Sequence, residues 1–383
     1  MLYKGVLRHD KSLATLTLLF ILFITFQQIG YASIIVENDT IGFDEYRGIV
    51  VDSKTKNPLV FASLTINGTN ISTVTNTQGN FLLKVPKKLR SSSVTISFLG
   101  YTSKVKKLSD FDIENTTVRL ETYIEELSEV SINTLDADLL VREVLKRRGD
   151  NYFNHSTKMT AFYRETIKKR RTYVSLSEAV LEINKQSSTS FKSDAVKLYK
   201  ARKSTDYKKI DTLTIKLKGG PYNTLYMDII KNSDKFFTED MWENYEFTFD
   251  ESTKIDDRPI YVVKFKQRKR YTEEALFYGN LYIDAQSLAL TSAKFNLNLE
   301  DKEMASRFFI VKKPRKVKTT PIEASYLVDY REKDGRWFYS YSRIELGFKV
   351  DWKSKLFNSV YYTTFEMAVT DWEKNTMDYT IKP

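Results

Sequence analysis

The sequence predicts a mainly β protein: a compact N-terminal β-sandwich, one or two helices, then a larger antiparallel β domain. Three observations carry that reading. Between Tyr46 and Ile132 short apolar runs such as "YRGIVVD", "LVFASLTING", "GNFLLKV" and "SVTISFLGYTSKVKKL" follow one another, separated by turn residues at the spacing of a sandwich. From about Met159 to Pro383 the runs are longer and alternate with period two, most cleanly in "TSAKFNLNLE". Between the two lies "DADLLVREVLKRRGDNY", where apolar residues recur at helical spacing. The expected organisation is a signal peptide over 1–32, a sandwich over 46–132, a helical linker over 133–158 and a β-rich domain over 159–383.

In chain order, the first element is a targeting segment. Lys4, Arg8 and Lys11 form a basic region, "SLATLTLLFILFITF" an apolar one, and Gly30, Tyr31 and Ala32 offer small residues for cleavage. Gln27 and Gln28 end the apolar run short of a membrane-spanning length, which favours a cleaved signal over an anchor. Export is therefore expected, to the periplasm or the outer membrane, with no membrane span after cleavage. The chain of 383 residues contains no cysteine, which excludes disulfides, thiolate metal sites and a cysteine nucleophile. Its core must hold it together, and 42% hydrophobic and 14% aromatic residues make that feasible. Of the formal net charge of +11, +10 falls in residues 133–383.

The sandwich strands follow. In "VTNTQGNFLLKV" (Val74 to Val85), Asn76 can fold its side chain onto the backbone and Gly79 can adopt positive φ; Phe81, Leu83 and Val85 then share one face of a strand, so a hairpin is expected here. Gly48 and Asp52 flank the first strand, Pro58 and Leu59 open the second, Ala62 allows close sheet packing, and Gly68-Thr69 makes a turn. With "ISFLGYTSK" and "EELSEVSI" further on, these residues resemble, in order and spacing, the carboxypeptidase-regulatory-like domain of Bacteroidota envelope proteins. The resemblance implies a seven-stranded, transthyretin-like sandwich serving as an accessory domain. It does not imply peptidase activity: a catalytic zinc needs clustered His and Glu ligands, and His155 is the only histidine after residue 32.

In the helical stretch, Leu139, Leu140, Val144 and Leu145 are expected on the buried face, with Thr134 or Asp136 as N-cap and Gly149 as the stop. Capping also accounts for Asp136 and Asp138, which lack the glycine and distal glutamate of a calcium loop. The remainder reads as a meander, including a long hairpin about Lys333-Asp334-Gly335 in "EASYLVDYREKDGRWFYSYSRIELGFKVDW". Long strands preceded by helices resemble the open half-barrel of periplasmic lipoprotein carriers. The sandwich followed by "AFYRETIKKRRTYVSLSEAVLEI" resembles two-domain envelope proteins, which implies an architecture rather than an activity. A transmembrane barrel is opposed by the charges of "KFKQRKR" and by a C-terminus, "YTIKP", without a terminal aromatic.

No catalytic, cofactor or metal site is expected. Glu165, Glu178 and Glu182 read as a solvated face beside basic residues rather than as paired acids of a hydrolase. Three basic runs recur: Lys168, Lys169, Arg170 and Arg171; Lys264, Lys266, Arg268, Lys269 and Arg270; and Lys312, Lys313, Arg315 and Lys316. If they converge, they form a patch for an anionic partner; otherwise they are separate solvated hairpin ends. The aromatics of the last strands are expected to pack into the core on one face, while on the other Trp337, Tyr339, Tyr341 and Tyr362 are candidates for an aromatic binding face able to stack on sugars or line an acyl cavity. The function expected is non-enzymatic binding or docking to another envelope component. Its partner would be an envelope protein or an acidic lipid or lipopolysaccharide surface, and nucleic acid is not expected. The alternative is a carrier of lipid or lipoprotein, holding an acyl chain in an apolar cavity between sheet and helices.

Overall fold

The computed structural model describes residues 42–123, 136–206, 208, 215–238, 242–255, 258–268, 275–352 and 358–374. The proposed signal peptide and the segment 125–132 lie outside the described residues. The sandwich is built from β1 (Phe43–Asp52), β2 (Ser63–Ile66), β3 (Ser72–Val74), β4 (Asn80–Pro86), β5 (Ser93–Ser97), β6 (Lys104–Lys107) and β7 (Thr116–Leu120). One sheet has the order β4-β1-β7, with β1 and β7 parallel; the other has the order β3-β2-β5-β6. Alternation sends Val50, Leu64, Ile66, Leu83, Val94 and Ile96 into a common core, where each is essentially inaccessible.

The turn after Val74 corrects one expectation. Asn76 Oδ1 accepts from the backbone N–H groups of Gln78 (2.9 Å) and Asn80 (3.0 Å), and Gly79 takes φ +75°. Yet β3 and β4 belong to different sheets, so the turn carries the chain across the edge of the sandwich instead of closing a paired hairpin. The alternating residues of β4 fill the core from the opposite layer, which the one-dimensional pattern cannot distinguish from a hairpin partner.

Beyond the sandwich come α1 (Ala137–Lys146), α2 (Arg148–Asn151), β8 (Thr157–Lys169), β9 (Thr172–Lys185), β10 (Ala195–Thr205), β11 (Lys216–Leu217), α3 (Pro221–Tyr226) and α4 (Ser233–Phe236). They are followed by β12 (Tyr245–Ile255), β13 (Arg258–Gln267), β14 (Phe277–Asp284), β15 (Leu290–Leu297), α5 (Lys302–Phe309), β16 (Ile310–Lys312), β17 (Val317–Lys333), β18 (Arg336–Trp352) and β19 (Ser359–Lys374). Ten strands form one open antiparallel sheet in the order β10-β9-β8-β19-β18-β17-β15-β14-β13-β12. The β17–β18 turn is Asp334-Gly335, with φ +53° and +78°, the two positive values that a two-residue type I′ hairpin requires. Third and fourth in the strand order of the sheet, β8 and β19 pair with each other, so Met159 lies opposite Trp372.

The helix over 137–146 is capped by Asp136, whose side chain accepts from Asp138 N at 2.8 Å. Its buried face is Ala137, Leu140, Val141 and Val144, while Leu139 is 62% exposed. The i, i+3, i+4, i+7 stripe thus begins at Ala137 rather than at Leu139. Gly149 does not stop this helix but lies within α2.

One face of the ten-stranded sheet carries the helices, and its side chains form one continuous core. Val141 and Val144 of α1 and Ile229, Phe236 and Phe237 from the α3–α4 region share that core with Val263, Leu281, Phe295, Val328 and Met367 of the sheet. The apolar cavity expected between sheet and helices is, among the described residues, occupied by these side chains. A buried ionic cluster stitches the same face: Lys185 Nζ lies 2.9 Å from Asp194 and 2.8 Å from Asp228, and Tyr330 Oη donates to Asp228 at 2.9 Å. Burial alone would depress the Lys185 ammonium, but the two carboxylates outweigh it and hold it protonated. Replacing Lys185 by Met leaves buried carboxylates short of a counter-ion and is expected to cost roughly 3–5 kcal/mol. Urea denaturation checks this, and a loss below 1 kcal/mol would contradict the assigned role.

Candidate binding surfaces

The outer face of the sheet, opposite the helices, carries a row of alternating charge. Register places Arg343, Glu366, Arg164, Glu178 and Arg202 side by side across β18, β19, β8, β9 and β10. Arg164 lies 2.8 Å from Glu178, and Arg343 lies 3.1 Å from Glu366. Burial works to raise the Glu178 carboxyl, but hydrogen bonds from Arg202 and Arg164 outweigh it and set the pKa below the usual range. Glu182 pairs with Lys158 at 3.3 Å on the same outer face. Glu165 faces the helices and accepts from Tyr163 Oη at 3.2 Å. The three glutamates therefore lie on strands and serve ion pairs or packing, and the structure does not gather them into one site.

Two of the three basic runs meet. The row Lys169–Tyr361–Phe348–Pro321 ties the β8–β9 turn to the start of β17, and the short β11–β16 pair covers the same end, with Lys216 opposite Lys312. Beneath it a small core of Val317, Phe348, Val350 and Tyr361 packs against Ile167 and Leu217. Lys168, Lys169, Arg170, Arg171, Lys312, Lys313, Arg315 and Lys316 thus share one end of the sheet, joined by Lys216. Among the described residues Arg170, Arg171, Lys216, Lys312, Arg315 and Lys316 have no carboxylate within 4.0 Å. The third run is elsewhere. Strand β13 lies six positions from β8 and three from β17, roughly 29 Å and 14 Å across the sheet at about 4.8 Å per strand. Lys264 is paired with Asp250 at 2.8 Å, Lys266 with Glu246 at 3.4 Å, and Arg268 donates to the Tyr245 carbonyl. Lys269 and Arg270 lie outside the described residues.

The aromatic candidates also divide. Trp337, Tyr339 and Tyr341 are 5%, 3% and 2% exposed, so the chain itself covers them. The Arg258 guanidinium lies 5.2 Å from the Trp337 ring, Tyr339 bonds within the helix-bearing face, and Phe61 stacks on Tyr341. Only Tyr362 is open. It belongs to an outer-face row near the basic end, where register sets it against Gly347 on one side and Lys168 then Tyr173 on the other. Ile322 reaches the same place: a Cβ on Gly347 would come within 3.1 Å of both Ile322 and Tyr362.

The sandwich docks on this outer face at its other end. Phe61, at φ +71°, sets its ring 5.0 Å from Tyr341 and 4.5 Å from the Arg343 guanidinium. Arg331 Nη2 donates to Ser63 Oγ at 2.6 Å, and Asn70 Nδ2 to the Trp372 carbonyl at 2.8 Å. Between the two layers remains a cleft of about 1270 Å³. Its floor includes Asp329, which accepts from Ser292 Oγ at 2.5 Å. The carboxyl is crowded by protein, and desolvation pushes its pKa up to about 6 against help from Ser292 and Arg331. Nothing in the sequence pointed to Phe61 or Asp329, because each acts through a contact between segments far apart in the chain.

Residues 46–132 match the family model of the CarboxypepD_reg-like domain, which identifies the sandwich. No curated protein matches the chain. Two solved structures are similar over 64% of it. One is a domain from Vibrio parahaemolyticus named for outer membrane lipoprotein sorting, 11% identical, 94% covered, TM-score 0.27. The other is a LolA superfamily protein from Nitrosomonas europaea, 9% identical, 96% covered, TM-score 0.26. At such scores the function has to be argued from this chain's own residues.

Two outcomes follow from the cleft. Phe61→Ala removes a stacked ring and its cation contact and is expected to cost about 2 kcal/mol of sandwich–sheet coupling. Calorimetry should then resolve separate transitions, whereas an unchanged single transition contradicts the contact's importance. For Asp329, the folded chain holds a proton between pH 3.8 and about 6 that the unfolded chain has released. Stability from this group therefore falls as pH rises through that window. Asp329→Asn, which keeps an acceptor for Ser292, should gain about 1–2 kcal/mol relative to the parent between pH 4 and 7.5 in urea titrations. A gap that does not change with pH rules the effect out.

Proposed function

We propose that this is a non-enzymatic, exported envelope protein that docks on an anionic lipid surface through the basic end of its large sheet. One observation carries the reading: three stretches distant in sequence, the β8–β9 turn, β11 and the β16–β17 connection, bring their cations to one end of the sheet. Cations such as Arg170, Arg171, Lys216, Lys312, Arg315 and Lys316, with no carboxylate within 4.0 Å among the described residues, attract phosphate-bearing headgroups, each near-surface Lys or Arg contributing about 1 kcal/mol. Beside it stand Tyr173, Ile322 and Tyr362, 51%, 42% and 36% exposed, with Lys168 Nζ 4.4 Å from the Tyr173 ring. Aromatic and aliphatic groups next to cations suit the headgroup boundary, where one end of a side chain is apolar and the other wet. Among the described residues no helix is long and apolar enough to cross a membrane, so attachment by this surface would be peripheral. The sandwich, held to the other end of the sheet, would be carried as a second contact site for an envelope protein.

The second reading, a lipid or lipoprotein carrier, draws on the open antiparallel sheet with helices on one face. Because that face is filled, an acyl chain could enter only if the core parted, and the docking reading fits the geometry better. Native mass spectrometry of protein purified from envelope extract separates the two, since a retained acylated ligand favours the carrier.

Vesicle co-sedimentation tests the docking surface. The variant Arg170→Ser, Arg171→Ser, Lys312→Ser, Lys316→Ser should bind vesicles containing 30% phosphatidylglycerol at least tenfold more weakly than the parent. Parental binding should also weaken with added salt. Equal binding of parent and variant removes the basic end from the proposal.

A further inference from the structure

We infer that the cleft between the sandwich and the outer face of the ten-stranded sheet is a binding site for an acidic oligosaccharide, a chain of uronic-acid units. Its size comes first. At about 1270 Å³ it exceeds the roughly 300–1,000 Å³ of pockets for single small molecules, so an extended occupant fits better than a compact one.

Its walls select the chemistry. On β2 and β5, burying Leu64, Ile66, Val94 and Ile96 in the sandwich core forces the intervening residues outward. Register sets Ser63 opposite Ser97 and Thr65 opposite Thr95, which makes a roof of four short hydroxyl side chains. The floor answers with Ser292 and Ser325 on β15 and β17. Hydroxyls both donate and accept, and two facing layers of them match a ligand that carries hydroxyls on every unit. Tyr282, half-buried on the floor in register with Ser292, adds a ring face for the apolar side of a pyranose.

Two observations narrow the class further. A peptide would be expected to add to a free strand edge, but β2, β5, β15, β17 and β18, which form most of the roof and floor, are each paired on both sides, and the edge strands β3 and β12 reach the cleft only through Val74 and Ile255. The acidic character is assigned by Lys294, which lines the cleft, is exposed, and among the described residues has no carboxylate within 4.0 Å, whereas the lining carboxylates Asp52, Asp329, Glu332 and Glu345 are already engaged by Tyr101, Ser292, Arg258 and Arg343. A sugar carboxylate would be its partner, with Arg331, already bonded to Ser63, on the same floor.

This site is separate from the basic end, so either can fail alone. Isothermal titration of the whole protein with a galacturonic acid hexamer, with cellohexaose and with hexaglutamate tests it. The galacturonate hexamer is expected to bind and the other two to bind at least tenfold more weakly. Lys294→Gln, at an exposed position that folding does not need, should weaken galacturonate binding about tenfold, the loss of one charge-assisted hydrogen bond. Tyr282→Ala should also weaken it, whereas the four-residue basic-end variant should bind like the parent. Absence of galacturonate binding overturns the inference. So does equal binding of hexaglutamate, or a loss seen in the basic-end variant but not in Lys294→Gln.

Discussion

The ladder between β17 and β18 is the constraint on which the remaining architecture depends. Each strand has seventeen residues; the Asp334-Gly335 turn sets the register of the first pairs, which shifts by one residue between Asp329 and Tyr330 and shifts back between Pro321 and Glu323. A slip by one residue would turn Val328 and Ile344 outward and bring Leu327 and Arg343 beneath the helices. That pairing, with its two shifts, decides which residues belong to the core, which carry the sandwich, and where the basic end lies. Both faces of these central strands are covered, one by helices and one by a second domain, an uncommon demand on an antiparallel pair.

The outer face shows how such a sheet keeps polar residues in a covered position. Arg343 is 6% exposed, yet it is matched by Glu345 and Glu366 and capped by the Phe61 ring. The guanidinium suits this place because its planar surface stacks while its edge bonds carboxylates, which an ammonium could not do together. The domain contact is therefore polar and specific where the helix contact is apolar and extensive.

Much of the fold was legible in the sequence because alternation and turn chemistry act locally. Ala293, Phe295 and Leu297, Asp334-Gly335 and the Asp136 cap could each be read from a few neighbouring residues. The helix face was displaced by one residue because Leu139 and Val141 are equally apolar and only the tertiary contact decides between them. The two-sheet crossing after Val74 was hidden because a turn looks the same whether or not its flanking strands pair. Sites were harder. Basic runs at 168–171 and 312–316 were visible, but their meeting depends on strand order, as does the removal of Lys264 and Lys266 into pairs with Asp250 and Glu246. The aromatic cluster of β18 was visible too, although burial of Trp337, Tyr339 and Tyr341 follows from coverage by distant segments.

The pairing of β8 with β19 has a consequence for the time course of folding. The strand that opens the large sheet finds its partner only near the end of the chain, some two hundred residues later. A chain emerging N-terminus first can complete the sandwich early, since its strands all lie before residue 121. It must then hold β8 to β10 as an unpartnered three-stranded sheet until the last strand arrives. Closing so long a loop is slow, and the waiting edge of β8 presents unpaired backbone N–H and C=O groups to other chains. Delayed closure of the sheet, rather than marginal stability of the finished fold, is the stage at which this protein would depend most on chaperones.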